Sequence, residues 1–162
     1  MYWAVSGFEA DAGITVTASH NPLNYNGMKI VKYGSRPLTD KEFADIKILA
    51  EENNFYKSAK QGSIIDVRKK ARSAYLDKII SLIEIKCLKP FKIVINSGNG
   101  TAGPVLDALI EKLELERVKV DFVKVHHDPD PTFPNGIPNP LLEENRRVTI
   151  DMIKREQAEF GV

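Results

Sequence analysis

Phe91-Lys92-Ile93-Val94-Ile95-Asn96-Ser97-Gly98-Asn99-Gly100-Thr101-Ala102-Gly103-Pro104 changes backbone preference twice within fourteen residues. The apolar, β-branched run at 92–95 predicts a strand, and the glycines at 98, 100 and 103 predict a tight turn. Pro104 suits the first turn of a helix carried by Val105 to Leu115, after which Val118 to Val125 returns to strand character. Strand, glycine turn, helix and strand in that order make a βαβ unit, which places the chain in the α/β class. The glycines Gly98, Gly100 and Gly103 also read as G-x-G-x-x-G, with Asp128 near the end of the next strand. That spacing fits a dinucleotide whose pyrophosphate rests on the helix N-terminus, hence an oxidoreductase domain. That is the runner-up to a tight strand-to-helix connection in which the third glycine allows close packing; no Gly-Lys-Ser/Thr of a Walker loop follows.

Towards the C-terminus, five prolines from Pro129 to Pro140 predict a long irregular connection. Asn139-Pro140 then predicts an N-cap and a first helical position, for a helix reaching Phe160 with Gly161 as its C-terminal cap. On this reading the chain stops where α/β alternation would next place a strand. Towards the N-terminus, Pro90 marks a boundary. Before it, Val67, Ala71, Tyr75, Ile79 and Ile83, widened by Leu76 and Ile80, predict a long helix over 64–86. Thr39 and Glu42 form a capping box ahead of Phe43, Ile46, Leu49 and Ala50, a helix expected to end near Asn53-Asn54. Gly13 to Ala18 and Met28 to Tyr33 read as strands on either side of a polar loop, and Met1 to Val5 as a chain starting inside a helix. The expectation is an α/β chain of two partial domains, 1–87 and 88–162, each with a mixed sheet covered by helices. Ends cut in this way would leave sheet edges unpaired, so a homo-oligomer through those edges is expected.

Composition narrows the partners. In 162 residues, Lys+Arg 23 against Asp+Glu 22 leaves a formal charge of +1, too little field to suggest nucleic acid or an anionic membrane. Cys87 stands alone, which excludes an internal disulfide and a cysteine zinc site and suits a cytoplasmic setting. No apolar run approaches the ~20 residues of a membrane span. His126-His127-Asp128 contains metal-ligand types, but neighbours on a strand point to opposite faces. Lys69-Lys70 and Arg146-Arg147 read as solvated helix faces. A small-molecule partner remains.

Thr17-Ala18-Ser19-His20-Asn21-Pro22 lies where a strand runs into a loop, the place where open α/β sheets put functional groups. A hydroxyl beside an imidazole and a carboxamide, with Lys29 on the next strand, can hold a phosphoryl group from several sides. The same residues can simply shape a turn before Pro22.

The string Gly13-Ile14-Thr15-Val16-Thr17-Ala18-Ser19-His20-Asn21-Pro22, followed by Tyr25-Asn26-Gly27-Met28-Lys29, resembles the phosphoserine loop of the α-D-phosphohexomutase family. Asn96-Ser97-Gly98-Asn99-Gly100 and Phe133-Pro134-Asn135-Gly136-Ile137-Pro138-Asn139-Pro140 resemble the second domain of its bacterial phosphomannomutase/phosphoglucomutase branch. The resemblance implies interconversion of hexose 6-phosphate and hexose 1-phosphate through a bisphosphorylated sugar. Ser19 would be the phosphoryl carrier and, through its phosphate, one magnesium ligand; His20 and Asn21 would orient it, and Lys29 would help to move the proton of the reacting hydroxyl. A phosphoserine of about −1.5 to −2 charge needs such an ammonium and a cation nearby. The family's aspartate-rich metal loop, sugar loop and distal phosphate loop have no counterpart among these residues, so little turnover is expected of the chain by itself, and the alternative reading is a non-catalytic remnant that serves as an assembly unit.

Overall fold

A computed structural model describes all residues, 1–162. The chain forms two compact units, one of Met1–Thr17 with Asn26–Tyr75, the other of Ala18–Tyr25 with Leu76–Val162.

In the first unit, helix α1 (Tyr2–Gly7) leads into strand β1 (Ala12–Val16), which pairs antiparallel with β2 (Met28–Lys32). The register sets Ile14 against Ile30 and Val16 against Met28, and the Thr17 N–H donates to the Gly27 carbonyl at 2.9 Å. The two-residue strand β3 (Arg36–Pro37) completes an antiparallel sheet of order β1-β2-β3. One face of this sheet is sealed, with Val5 of α1 and Val31 of β2 both buried. Helix α2 (Asp40–Glu51) carries the expected capping box. The Glu42 N–H donates to the Thr39 hydroxyl, while the Glu42 carboxylate accepts from the Thr39 backbone N–H at 2.8 Å. Glu42 also takes Lys32 Nζ at 2.6 Å, tying α2 to the sheet.

Helix α3 spans Arg68–Ile80, shorter than the 64–86 expected from periodicity. Ile64 and Ile65 are fully exposed or nearly so and meet nothing that would bury a helical stripe there, so Asp66 becomes the start signal by accepting the Arg68 N–H. At the other end the Ser81 hydroxyl donates to the Lys78 carbonyl. The fully buried residue of α3 is Leu76, a flank of the expected stripe, whereas Tyr75 is surface-facing and stacks edge-on against Trp3.

The second unit is the βαβ unit with one strand added. β4 (Phe91–Asn96), α4 (Gly103–Leu115) and β5 (Val120–Val125) follow in turn, and β4 and β5 pair in parallel from Phe91↔Val120 to Asn96↔Val125. Helix α5 runs Glu143–Glu156, not from Pro140 to Phe160. Asn139 spends its side-chain oxygen on the Leu141 N–H, which delays the helix, and Gln157, in the left-handed region, ends it early. The residues released form β6 (Phe160–Gly161), parallel to β4 through Ile93↔Phe160 and Val94↔Gly161. The expected next strand is therefore already present at 160–161, and Gly161 lies in it rather than in a cap. The parallel sheet has order β5-β4-β6 around a core of Ile93, Val94, Leu106, Leu113 and Val125. The α/β class holds, and the two strand directions are separated, antiparallel in the first sheet and parallel in the second.

Candidate functional site

Ser19 follows β1 in the loop closed by Thr17 and Gly27. Its backbone lies in the left-handed region, φ +56, where a non-glycine residue is uncommon outside turns and functional sites. The Ser19 hydroxyl is 3.1 Å from His20 Nδ1, so the expected hydroxyl–imidazole pair is formed. Asn21 uses its Nδ2–H to bond the Ala18 carbonyl at 2.8 Å, and its backbone N–H bonds the same oxygen. Its carboxamide therefore folds the turn that presents Ser19. Lys29 lies on β2 opposite Thr15, with its side chain exposed.

Residues 18–25 group with the second unit, and His20 lines a cavity of about 590 Å³ in that unit. This cavity opens at the carboxyl ends of the parallel strands, the position that open α/β sheets use for ligands. Asn96 ends β4 there, bonding the Thr149 hydroxyl at 3.1 Å, and His126 follows β5 with φ +43. Arg146 and Val148 of α5 and the proline-rich 135–140 segment close the wall. Sequence reasoning left Asn96, His126, Arg146 and Thr149 unassigned as site residues. Their signal is positional, since each follows a strand's carboxyl end or faces it from α5.

The loop is held by asparagines. Asn99 gives its N–H to the His126 carbonyl and its Nδ2–H to the Asp128 carbonyl, and accepts from the Asp130 N–H and the Asn135 Nδ2–H. Asn145 Nδ2 reaches the carbonyls of both Ile137 and Asn139 at 2.9 Å. The glycine turn is similarly occupied. The N–H groups of Ser97, Gly98, Asn99 and Gly100 donate to Val125, the Asn96 side chain, His126 and Ser97 respectively. Four successive N–H groups of the turn are thus committed within the protein. A Cβ on Gly103 would sit 2.0 Å from the His127 carbonyl oxygen, and one on Gly98 would sit 2.5 Å from Pro138 Cβ. These glycines serve close packing of α4 and of the proline segment.

His126 lines the cavity, whereas His127 turns to Asp107 of α4, with Nε2 to Oδ1 at 2.9 Å, and Lys124 joins the same oxygen at 2.6 Å. Lys124 first and His127 second hold the Asp107 carboxyl below its ordinary range. The adjacent histidines thus diverge. No three His, Cys, Asp or Glu side chains gather anywhere in the structure, so the residues present do not of themselves complete a divalent-cation site. No helix is long and apolar enough to cross a membrane.

Residues 1–57 match the family model described as phosphoglucomutase/phosphomannomutase alpha/beta/alpha domain I, and residues 73–162 match that of domain II. Over the whole chain it is 44% identical to phosphomannomutases of Salmonella montevideo and of Escherichia coli K12. Identity is 40% to a protein named phosphohexose mutases from Xanthomonas campestris. The chain spans about a third of these relatives, 36% of the first two. Among solved structures, a phosphoglucomutase/phosphomannomutase family protein of Burkholderia thailandensis superposes with a TM-score of 0.73 at 32% identity, over 93% of this chain and 30% of the other. A putative phosphomannomutase of Thermus thermophilus superposes with a TM-score of 0.76 at 25% identity, over 99% and 36%. The loop at Ser19 and the asparagine-pinned strand ends thus sit in segments of domains I and II, and the chain belongs to the phosphoglucomutase/phosphomannomutase family.

Proposed function

We propose that this chain carries the phosphoryl-relay segment of a phosphohexomutase, which interconverts hexose 6-phosphate and hexose 1-phosphate through a bisphosphorylated sugar, with Ser19 as the phosphoryl carrier. The observation that carries the reading is the Ser19–His20 pair, hydroxyl to Nδ1 at 3.1 Å, on a left-handed turn after β1. A hydroxyl within hydrogen-bond reach of an imidazole can pass on its proton as its oxygen attacks phosphorus. Asn21 acts through the turn, and Lys29 supplies the ammonium that offsets phosphoserine charge and assists the proton of the sugar hydroxyl. Magnesium enters only as the metal of the proposed whole activity. Ser19 offers one ligand oxygen through its phosphate, and no carboxylate cluster in this chain completes the shell.

The ligands on this reading are hexose phosphates and hexose bisphosphates, with neither nucleic acid nor membrane as partner, in the cytoplasm. The division into 1–87, bearing the serine loop, and 88–162 belongs to the same proposal. The 3-10 turn at Ile85–Cys87 and Pro90 just before β4 favour that boundary, whereas the compact units divide after Tyr75 and group Ala18–Tyr25 with the second. Self-association through an open sheet edge is likewise proposed.

Incubation with a hexose 1,6-bisphosphate followed by peptide mass spectrometry tests the carrier assignment. Phosphate is expected on the peptide containing Ser19 and absent from Ser19→Ala. Phosphate on another residue, with Ser19 unmodified, removes Ser19 from its role.

A further inference from the structure

Helices α1, α2, α4 and α5 are closed by the left-handed residues Glu9, Asn53, Arg117 and Gln157, the ordinary place for such a backbone. His126 ends no helix, yet it follows β5 directly with φ +43. The turn there has a backbone task. It lets the His126 carbonyl accept the Asn99 N–H at 2.7 Å and sends His127 to Asp107 of α4. Glycine does both without a Cβ to strain the left-handed region, so the backbone gives no reason for an imidazole at this position. The ring is accounted for by what it faces.

It faces the cavity at the strand ends, and the structure gives it no hydrogen bond, although the adjacent His127 ring is held by Asp107. The Ser97 hydroxyl is buried and likewise without a partner. The Ser97 N–H donates to the Val125 carbonyl, so the serine and His126 stand side by side at the ends of paired strands. In the sheet order β5-β4-β6 this end of the cavity lies across β4 from β6. Its walls are segments that bond one another, Asn135 to Asn99, and Asn145 to Ile137 and Asn139. The charged and imidazole groups of the lining are His20, His126 and Arg146 against one carboxylate, Glu144. Arg146 has no ion pair, whereas Arg155 on the same helix is tied to Glu156. Donors in such excess suit an anion with several acceptor oxygens.

We propose that His126 binds the phosphate of a hexose phosphate in this cavity, its ring N–H donating to a phosphate oxygen and Arg146 supplying the charge. The inference rests on the phosphohexomutase reading for the identity of the ligand, and gives the second unit a ligand contact that does not involve Ser19.

Inorganic phosphate and glucose 1-phosphate, each titrated into the full chain with its histidines labelled with nitrogen-15, test it. The three histidine rings report separately. His126 is expected to shift with a saturable dependence on either ligand, while His127, already committed to Asp107, stays nearly still. His126→Gly and Arg146→Gln should each weaken both ligands about tenfold, the loss of one charge-assisted hydrogen bond. The urea midpoint of His126→Gly should equal or exceed that of the unsubstituted chain, because glycine relieves the left-handed backbone, so weaker binding is not a folding defect. Absence of binding, binding that leaves the His126 signal unmoved, or undiminished affinity in His126→Gly overturns the proposal. Phosphate incorporated at Ser19 with no response at His126 leaves the phosphohexomutase reading standing and removes this contact. A response at His126 that persists in Ser19→Ala, in a chain whose bisphosphate-derived phosphate lies elsewhere than Ser19, keeps the contact and removes the carrier.

Discussion

At the scale of single residues the second unit depends on atoms that are absent. Gly103 lets the first turn of α4 lie against the His127 carbonyl, and a methyl group there would meet backbone oxygen at 2.0 Å, which no side-chain rotation relieves. Gly103→Ala is expected to lower the unfolding free energy by about 2–3 kcal/mol in urea titration, a cost of overpacking a tight contact. Gly62, whose added Cβ would meet open space, is the control, and Gly62→Ala should change stability by less than ~1 kcal/mol. Composition shows these glycines to be turn residues, but their neighbours come from strands and loops far along the chain. The same limit applies to Ser19. Its pairing with His20 is a neighbour relation and was legible, whereas its left-handed backbone and the place of His20 in the cavity depend on packing.

Elements follow the same division. The capping box of α2 was legible because its partners lie three residues apart. Its link to Lys32 was not, since that contact depends on how α2 crosses the sheet. Together they set a pH response. The Lys32 ammonium first, then the Thr39 backbone N–H and hydroxyl, lower the Glu42 carboxyl from 4.5 to about 2. A carboxyl with a depressed folded-state pKa stabilises the fold above its unfolded value, and that contribution fades as pH falls from 4.5 towards about 2. Thermal melts of Glu42→Gln should therefore lie below those of the unsubstituted chain at neutral pH and converge with them over this acid window. The exposure of the pair keeps the difference modest. Equal separation at every pH would mean that the carboxylate charge is not what holds α2 to the sheet. Helix ends were the weakest part of the sequence reading, because Asn139 and Gln157 act through local hydrogen bonding and backbone conformation that hydrophobic spacing does not register.

For the whole molecule, the segment between α2 and α3 is the natural place of attack. Residues 55–67 hold no helix or strand, Tyr56 and Ile64 are almost wholly exposed, and the two family models leave 58–72 unmatched. Exposed backbone without ladder or helix bonds is cut first by proteases. Limited trypsin digestion should cleave at Lys57 or Lys60 before any site within β4, α4 or β5, giving a stable fragment that contains the parallel sheet. Early cleavage within α4 would show that the second unit is the less stable part. The α/β class, the βαβ unit, the capping box and the serine loop were determined by sequence alone, because each rests on periodicity or on neighbours within a few residues. Only the tertiary structure decided that Phe160–Gly161 is a strand on β4, that Leu76 is the buried residue of α3, that Asn99 pins the proline-rich loop, and that His126 faces the cavity. Each of these depends on which distant segment lies alongside, and the free energy of that choice comes from packing and hydrogen bonds between residues far apart in the chain.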